Sequence, residues 1–394
     1  MNKFLNKFFY EKLFLIILFT SYPILVGLSL LSGIENFFFS LLRYSLLLFS
    51  ILLIFFVSYK KNVSFEHIFF TSLLIFFSIS ILQNYTYFNF IIFIISIFIP
   101  FFFSNYFENK FDINFIKYLT LILFFNIIIY LIIYIYINNS VLYTILFEIK
   151  DETIRTDTSN YFYHNGFRIG SVSLNPISFA NYLAVVILGL LTVFKNQKNI
   201  IFIYFIILMI FLNTGSRGPF ISLILTIIIG QKLFKTPFSI FISVLIFCLI
   251  TQFASSEFVD QSRDTISRFY NSFISHESGN YDKSASDRVS NYKCLLDDCS
   301  PTVVETNFYH NLLLETYSIG YLYFFLFCIM IASPFYYLYK KINFILNDKV
   351  SIYFYLIFIY FLIESMFSGF MPREEFLFFS SAMIFNRLRT LKIN

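Results

Sequence analysis

Charged residues are scarce in this chain. They make up 13% of its 394 residues, about half of the roughly 25% found in soluble domains. No polar stretch is long enough to form a separate soluble domain, and the net charge of +5 is too small to indicate a nucleic-acid partner. Hydrophobic residues account for 58% of the chain, with 60 phenylalanines and no tryptophan. This composition predicts a polytopic membrane protein.

Apolar runs recur along the whole chain, without an internal repeat. We expect an all-α fold, a single integral membrane domain over residues 1–394 that forms a transmembrane helical bundle of about twelve spans. The two short segments at 199–212 and 218–233 could instead form a partly re-entrant hairpin. The spans are expected at about 13–33, 37–58, 67–83, 87–104, 115–137, 176–194, 199–212, 218–233, 236–254, 310–338, 351–368 and 374–387.

The lysines define an orientation for these spans. All but three lie at the two termini or near the loops that follow even-numbered spans; the exceptions are Lys150, Lys283 and Lys293. The positive-inside rule assigns that side to the cytoplasm, which predicts a bacterial inner-membrane protein with both termini cytoplasmic and its other face toward the periplasm or the cell exterior. Two long loops, 138–175 and 255–309, then face the periplasm together with the turn at 213–218, and we expect both loops to be partly ordered.

The cations on the predicted outer side are mostly arginines, among them Arg168, Arg217, Arg288 and Arg373. A guanidinium group presents a rigid fork of donors that matches phosphate oxygens. The cluster therefore fits a lipid that carries phosphate or pyrophosphate. Interfacial snorkelling, or pairing with acidic residues of the same loops, is the alternative.

Arg217 stands out because its turn, "NTGSRGPF", is too short to be a solvated loop. Gly215 and Gly218 let the backbone approach a ligand closely. Ser216 and the free amides can form an anion-binding concavity, and Pro219 suits the first turn of the next helix. An arginine at membrane depth marks a candidate functional site.

Two further motifs lie on the same predicted face. In "YHNLLLETYSIG", Glu315 follows Asn311 by one helical turn, and His310 could accept a proton near neutral pH. A histidine bonded to a loop carbonyl, with the carboxylate satisfied by an arginine, is an equally open alternative. In "FRIGSVSLNPISFANYLA", Arg168 precedes Asn175, and Pro176 suits the start of the sixth span.

Together these residues resemble the O-antigen polymerase and O-antigen ligase superfamily, membrane glycosyltransferases with a GT-C-like fold. The resemblance covers residues 165–325; the first five spans are similar only in hydropathy. Asn-Pro replaces the commoner Pro-Asn order, and Tyr323 stands where ligases tend to carry a glycine, which favours the polymerase. The matching motifs are Arg168 and Gly170 before Asn175-Pro176, "TGSRGPF" with Arg217, "ASDRVSNY" with Arg288, and "HNLLLETYSIG" with His310.

The resemblance implies that the substrates are undecaprenyl-pyrophosphate-linked oligosaccharides, as donor and as acceptor, and that no cofactor is needed. Arg217 and Arg288 would hold the pyrophosphate, and His310 would orient or deprotonate the attacking hydroxyl, with Glu315 as helper or alternative base. Arg168, Asn175, Ser216 and Asn311 would bind substrate. A chain-length-determining protein is a partner typical of the family.

The remaining polar clusters predict no metal site, since Asp297-Asp298 reads as a solvated pair. Cys248 and Cys328 fall in spans as small hydrophobic residues, while a disulfide between Cys294 and Cys299 is open. Two alternative functions also stay open. One is a ligase that transfers glycan to lipid A-core; the other is a lipid-linked oligosaccharide flippase, although transporters usually show repeat symmetry and charges at the bilayer midplane.

Overall fold

The computed structural model describes residues 113–137, 176–193, 217–234, 321–366 and 373–390, with isolated positions within 38–52 and 207–216. Every element with defined bounds is an α-helix. The six helices are α1 (Ile113–Ile137), α2 (Pro176–Val193), α3 (Arg217–Phe234), α4 (Tyr321–Asn347), α5 (Lys349–Glu364) and α6 (Arg373–Thr390).

These helices coincide with six of the expected segments. α2 begins at Pro176, as predicted, because the fixed φ of proline and its missing amide suit the first helical position. α4 continues to Asn347, nine residues past the expected end of the tenth segment. Over the part of the chain that the structure describes, no helix is both long and apolar enough to be identified as a membrane span. The twelve-span bundle stays a prediction.

The chain divides into two compact units, and α1 (from Ile116), α2 and α3 belong to one of them. In this unit α2 is buried on every face from Phe179 to Val193, which is the pattern of a central helix. α3 packs against α2. On another side α1 approaches closely at Gly189, where a Cβ would overlap the Thr120 hydroxyl and lie 3.1 Å from Thr120 Cγ2.

The other unit contains α4, α5 and α6. Its central helix is α5, which is buried on all faces from Val350 to Leu362. α5 and α6 pack closely over their length, with the ring of Phe361 stacked on that of Phe376 at 5.0 Å between centroids. Edge-to-face contacts extend this packing, and such aromatic pairs stabilise beyond their buried area.

α4 is not straight. Its backbone departs from helical geometry at Lys341 (φ −130°, ψ 25°), and Pro334 lies in its interior. The kink separates a long run, Tyr321 to Lys340, from a short extension that ends at Asn347. In the extension, the Asn347 side chain donates to the Asn343 carbonyl at 3.1 Å. This bond lies in the last turn of the extension.

Candidate functional site

The stretch from Thr214 to Phe220 forms a tight turn that leads into α3. The backbone amide and the hydroxyl of Thr214 both donate to the carbonyl of Phe211, at 3.1 and 2.7 Å. The Ser216 amide donates to Thr214 Oγ1 at 3.3 Å, and the Phe220 amide donates to the Ser216 carbonyl at 3.3 Å. The rings of Phe211 and Phe220 lie 6.2 Å apart. The turn is thus held by its own hydrogen bonds.

Ser216 directly precedes α3. Its carbonyl accepts the first bond of the helix, and its side chain is buried, with the hydroxyl donating to the Thr214 carbonyl at 3.5 Å. The first amides of a helix have no helical acceptor, and Pro219 carries no amide hydrogen. Among the described amides of this turn, Thr214 Oγ1 engages that of Ser216, while those of Arg217 and Gly218 lie in the first turn of α3.

Arg217 is the first residue of α3, one position earlier than expected. Its backbone is described, while its side chain is not. Ser216 is the one predicted site residue whose side-chain contacts the structure gives. The other predicted site residues lie outside the described residues: Arg168, Asn175, Arg288, His310, Asn311 and Glu315.

Two hydroxyls beyond the turn are satisfied within α3. Ser222 Oγ donates to the Gly218 carbonyl at 2.9 Å, and Thr226 Oγ1 donates to the Ser222 carbonyl at 2.6 Å. Both side chains are buried. Because such bonds to the carbonyl four residues earlier use up the hydroxyl hydrogen, these hydroxyls have no hydrogen left to donate to a ligand.

Two buried polar residues escaped the sequence analysis. Asn181 is fully buried in the first half of α2, and Glu364 is fully buried at the last position of α5, one turn after the buried Tyr360. Polar side chains inside apolar segments mark candidate functional positions. That signal was present in the sequence, since both residues interrupt expected spans. A search for spaced motifs did not identify them.

A cluster of charged side chains joins the ends of α4, α5 and α6. Asp348 caps α5 by accepting from the Val350 amide at 3.3 Å. Its carboxylate also accepts from Arg387 Nε at 2.6 Å and from Arg387 Nη2 at 3.0 Å. Lys341, at the kink of α4, donates to the Leu388 carbonyl at 2.8 Å. We call Asp348, Arg387 and Lys341 the helix-end clamp.

The electrostatics of the helix-end clamp follow from partial burial. The side chains of Arg387 and Asp348 are 18% and 15% exposed. Burial by itself would raise the pKa of Asp348, but hydrogen bonds from Arg387 and Ser351, together with the arginine charge, lower the pKa below its ordinary 3.8. The carboxylate is therefore ionised at neutral pH. The two-pronged contact matches the fork geometry of guanidinium.

The described residues contain no group of three or more histidine, cysteine, aspartate or glutamate side chains that could hold a metal ion. Cys328 is a half-buried free thiol in α4; Cys248, Cys294 and Cys299 lie outside the described residues. The possible disulfide between Cys294 and Cys299 therefore stays an open prediction from the sequence.

Comparison with known proteins adds no relative to this description. No protein-family model, curated protein or solved structure matches the chain.

Proposed function

We propose that the chain is a membrane glycosyltransferase that polymerises a surface polysaccharide at the periplasmic face of the bacterial inner membrane. In this proposal it transfers a growing glycan from undecaprenyl pyrophosphate onto the terminal sugar of a lipid-linked repeat unit. The fold is a GT-C-like bundle of about twelve spans. The alternation of lysine-rich and lysine-poor loops supports the orientation, and the motif order between residues 165 and 325 supports the reaction class.

The observation that carries the proposal is the geometry of the turn before α3. The Thr214 and Ser216 side chains are buried, the turn is held by its own hydrogen bonds, and the first residue of the helix that follows is Arg217. The amides of Arg217 and Gly218 lie at the positive end of the helix macrodipole. A cation at a helix N-terminus is unfavourable by itself, because that end of the helix carries partial positive charge and favours anions. An arginine there is explained by a bound anion, and pyrophosphate is such an anion.

The proposed reaction forms one glycosidic bond and breaks one bond to phosphate. The hydroxyl oxygen of the acceptor sugar attacks the anomeric carbon of the donor glycan, and the bond from that carbon to the pyrophosphate oxygen breaks. His310 takes the hydroxyl proton, with Glu315 as helper or alternative base. Arg217 and Arg288 stabilise the charge that develops on the departing undecaprenyl pyrophosphate.

Four further residues bind the substrates in this scheme: Arg168, Asn175, Ser216 and Asn311. Ser216 acts through the backbone, because its carbonyl accepts the first hydrogen bond of α3 beside the two amides that follow. No nucleotide sugar and no cofactor takes part. A chain-length-determining protein is the proposed partner in the membrane.

Three variants of α3 test the anion role. Arg217→Ala removes both charge and fork, Arg217→Lys keeps the charge alone, and Lys232→Ala alters an exposed cation in the last turn of the same helix. Loss of a transition-state donor costs about 10²–10³-fold in rate. We expect no polymer from Arg217→Ala, shortened polymer from Arg217→Lys, and normal polymer from Lys232→Ala, at equal expression on glycan gels.

The same gels separate the alternative functions. A bare lipid A-core, with long glycan left on its undecaprenyl carrier, would identify a ligase. A bare lipid A-core with no long glycan on the carrier would identify a flippase. Normal polymer from Arg217→Ala would remove Arg217 from the site.

A further inference from the structure

Four cations gather at one end of the unit that contains α4, α5 and α6. Two follow each other at the kink of α4, one begins α5, and one lies in the last turn of α6. The helix-end clamp joins these three helix ends, since Lys341 donates to the Leu388 carbonyl and Arg387 binds Asp348. We call the four cations the basic end: Lys340, Lys341, Lys349 and Arg387.

The extension of α4, Lys341–Asn347, crosses this end of the unit from α4 to α5. The backbone leaves helical geometry at Lys341 and again at Asp348. Further along, the Tyr355 hydroxyl of α5 donates to the Pro334 carbonyl of α4 at 3.1 Å. These four positions are evenly spaced in the sequence, so the three segments between them, each about 10 Å long, form a U. The extension is the base of the U, and two cations of the basic end lie at each of its corners.

The described carboxylates do not balance the charge of the basic end. Among the residues with defined structure, Asp348 is the one acidic side chain at this end, while the glutamates of α5 and α6 lie at the opposite ends of those helices. Four cations less one carboxylate leave three positive charges. Lys340 and Lys349 are exposed, and Lys340 Nζ lies 5.8 Å from the centroid of the Tyr336 ring, a contact that does not neutralise its charge. This surface therefore attracts anions.

We infer that the basic end binds the headgroups of anionic phospholipids at the membrane surface. Phe344 stands in the middle of the extension, between the cations, and is 57% exposed. A soluble phosphate would be bound by the cations without an aromatic ring, whereas cations beside an exposed ring are typical of a surface that enters the headgroup layer. Because headgroups lie at the surface of a bilayer, the inference requires no described helix to cross it.

The predicted orientation agrees with this ligand. It places the segment between α4 and α5, and the C-terminus, on the cytoplasmic side, where anionic lipids give the membrane a negative surface potential. An acidic segment of a partner protein is the competing ligand, but it gives no reason for an exposed Phe344. The inference rests on the proposed function for placing the chain in a membrane, and it adds a lipid class and the residues that bind it.

The test is a lipid titration of the purified full chain in neutral detergent micelles. A ligand that binds only the folded state raises the midpoint of thermal unfolding, so the lipid concentration that gives half of the maximal shift measures the apparent affinity. The variant Lys340→Gln/Lys349→Gln removes the two exposed cations and leaves the helix-end clamp in place. The variant Lys117→Gln/Lys232→Gln removes two cations from α1 and α3 and is the control of equal charge.

We expect phosphatidylglycerol to raise the midpoint of the wild type, and phosphatidylcholine and soluble glycerol phosphate to leave it unchanged. Each cation near an anionic lipid surface contributes about fivefold to binding, so Lys340→Gln/Lys349→Gln should need about 25-fold more phosphatidylglycerol for half of the shift. The control variant should need the same concentration as the wild type. Added salt should weaken the wild-type effect, because salt screens exposed charges.

The absence of a shift with phosphatidylglycerol would overturn the inference, as would equal affinities in the wild type and in Lys340→Gln/Lys349→Gln. An equal loss in the control variant would show attraction by net charge alone, and an equal shift with glycerol phosphate would identify a soluble ligand; either result also overturns it. The titration contains no glycan, so its failure leaves the outcome of the polymer gels unchanged, and the reverse holds as well.

Discussion

The helix-end clamp allows capping and ion pairing to be separated by substitution. Asp348 does two things at once, since it caps α5 through the Val350 amide and binds Arg387 through both carboxylate oxygens. Asp348→Asn keeps a side chain that caps equally well but removes the charge. Asp348→Ala removes both functions. Arg387→Ala leaves the cap and removes the pair.

The structure gives the expected magnitudes. A charge-assisted hydrogen bond contributes about 1.5–3 kcal/mol, and the 15–18% exposure of the two side chains places this pair near the lower end because water screens it. Loss of an N-cap costs about 1 kcal/mol. We therefore expect the free energy of unfolding to fall by about 1–2 kcal/mol in Asp348→Asn and by about 3 kcal/mol in Asp348→Ala. Arg387→Ala should lose about 2 kcal/mol.

The assay is denaturant unfolding of the purified protein in detergent micelles, with the double variant Asp348→Ala/Arg387→Ala closing the cycle. Contact between the two side chains predicts a coupling energy of about 1–2 kcal/mol. Additive single effects would refute the ion pair. Equal losses in Asp348→Asn and Asp348→Ala would refute the separate contribution of the cap.

Three further predictions concern stability. Because the folded pKa of Asp348 lies below its ordinary 3.8, the clamp stabilises fully at neutral pH and its contribution is lost as pH falls below that value; unfolding free energies of wild type and Arg387→Ala should converge there. Gly189→Ala should destabilise by about 1–2 kcal/mol, since overpacking against Thr120 outweighs the better helix propensity of alanine, and Thr120→Ala in the same chain should restore most of the loss. Tyr355→Phe should cost about 1 kcal/mol by removing the hydrogen bond to the Pro334 carbonyl, and an unchanged unfolding midpoint would contradict that bond.

Helix positions were the most predictable feature of this chain. Pro176 and Pro219 indicated where α2 and α3 begin, because proline has no amide hydrogen and is best placed in the first turn of a helix. The predicted helix ends were less accurate. α4 continues to Asn347 through a kink at Lys341, and hydropathy could not show this because the extension depends on contacts with α6.

The contacts of Lys341 and Arg387 were not predicted from the sequence, which used the positions of cations only to predict an orientation. In the structure, each also binds a specific group at the ends of α5 and α6. Such pairing joins residues 39 positions apart in sequence, so no local pattern could have shown it.

The candidate site divides in the same way. The start of a helix just after Ser216 was predictable, since Pro219 suits the first turn of a helix. The hydrogen bond from the Ser216 amide to Thr214 Oγ1 was not predictable, because it depends on the path of the backbone through the turn. Glu364 was missed because it lies outside every motif, although a carboxylate in an apolar segment was itself a signal.

The measurement that tests the central claim most directly is a glycan gel of a strain lacking this gene, beside strains complemented with the wild type and with Arg217→Ala. The account predicts lipid A-core bearing a single repeat unit in the deletion and in the Arg217→Ala strain, with the full ladder restored by the wild type. A full-length ladder in the deletion strain would contradict it.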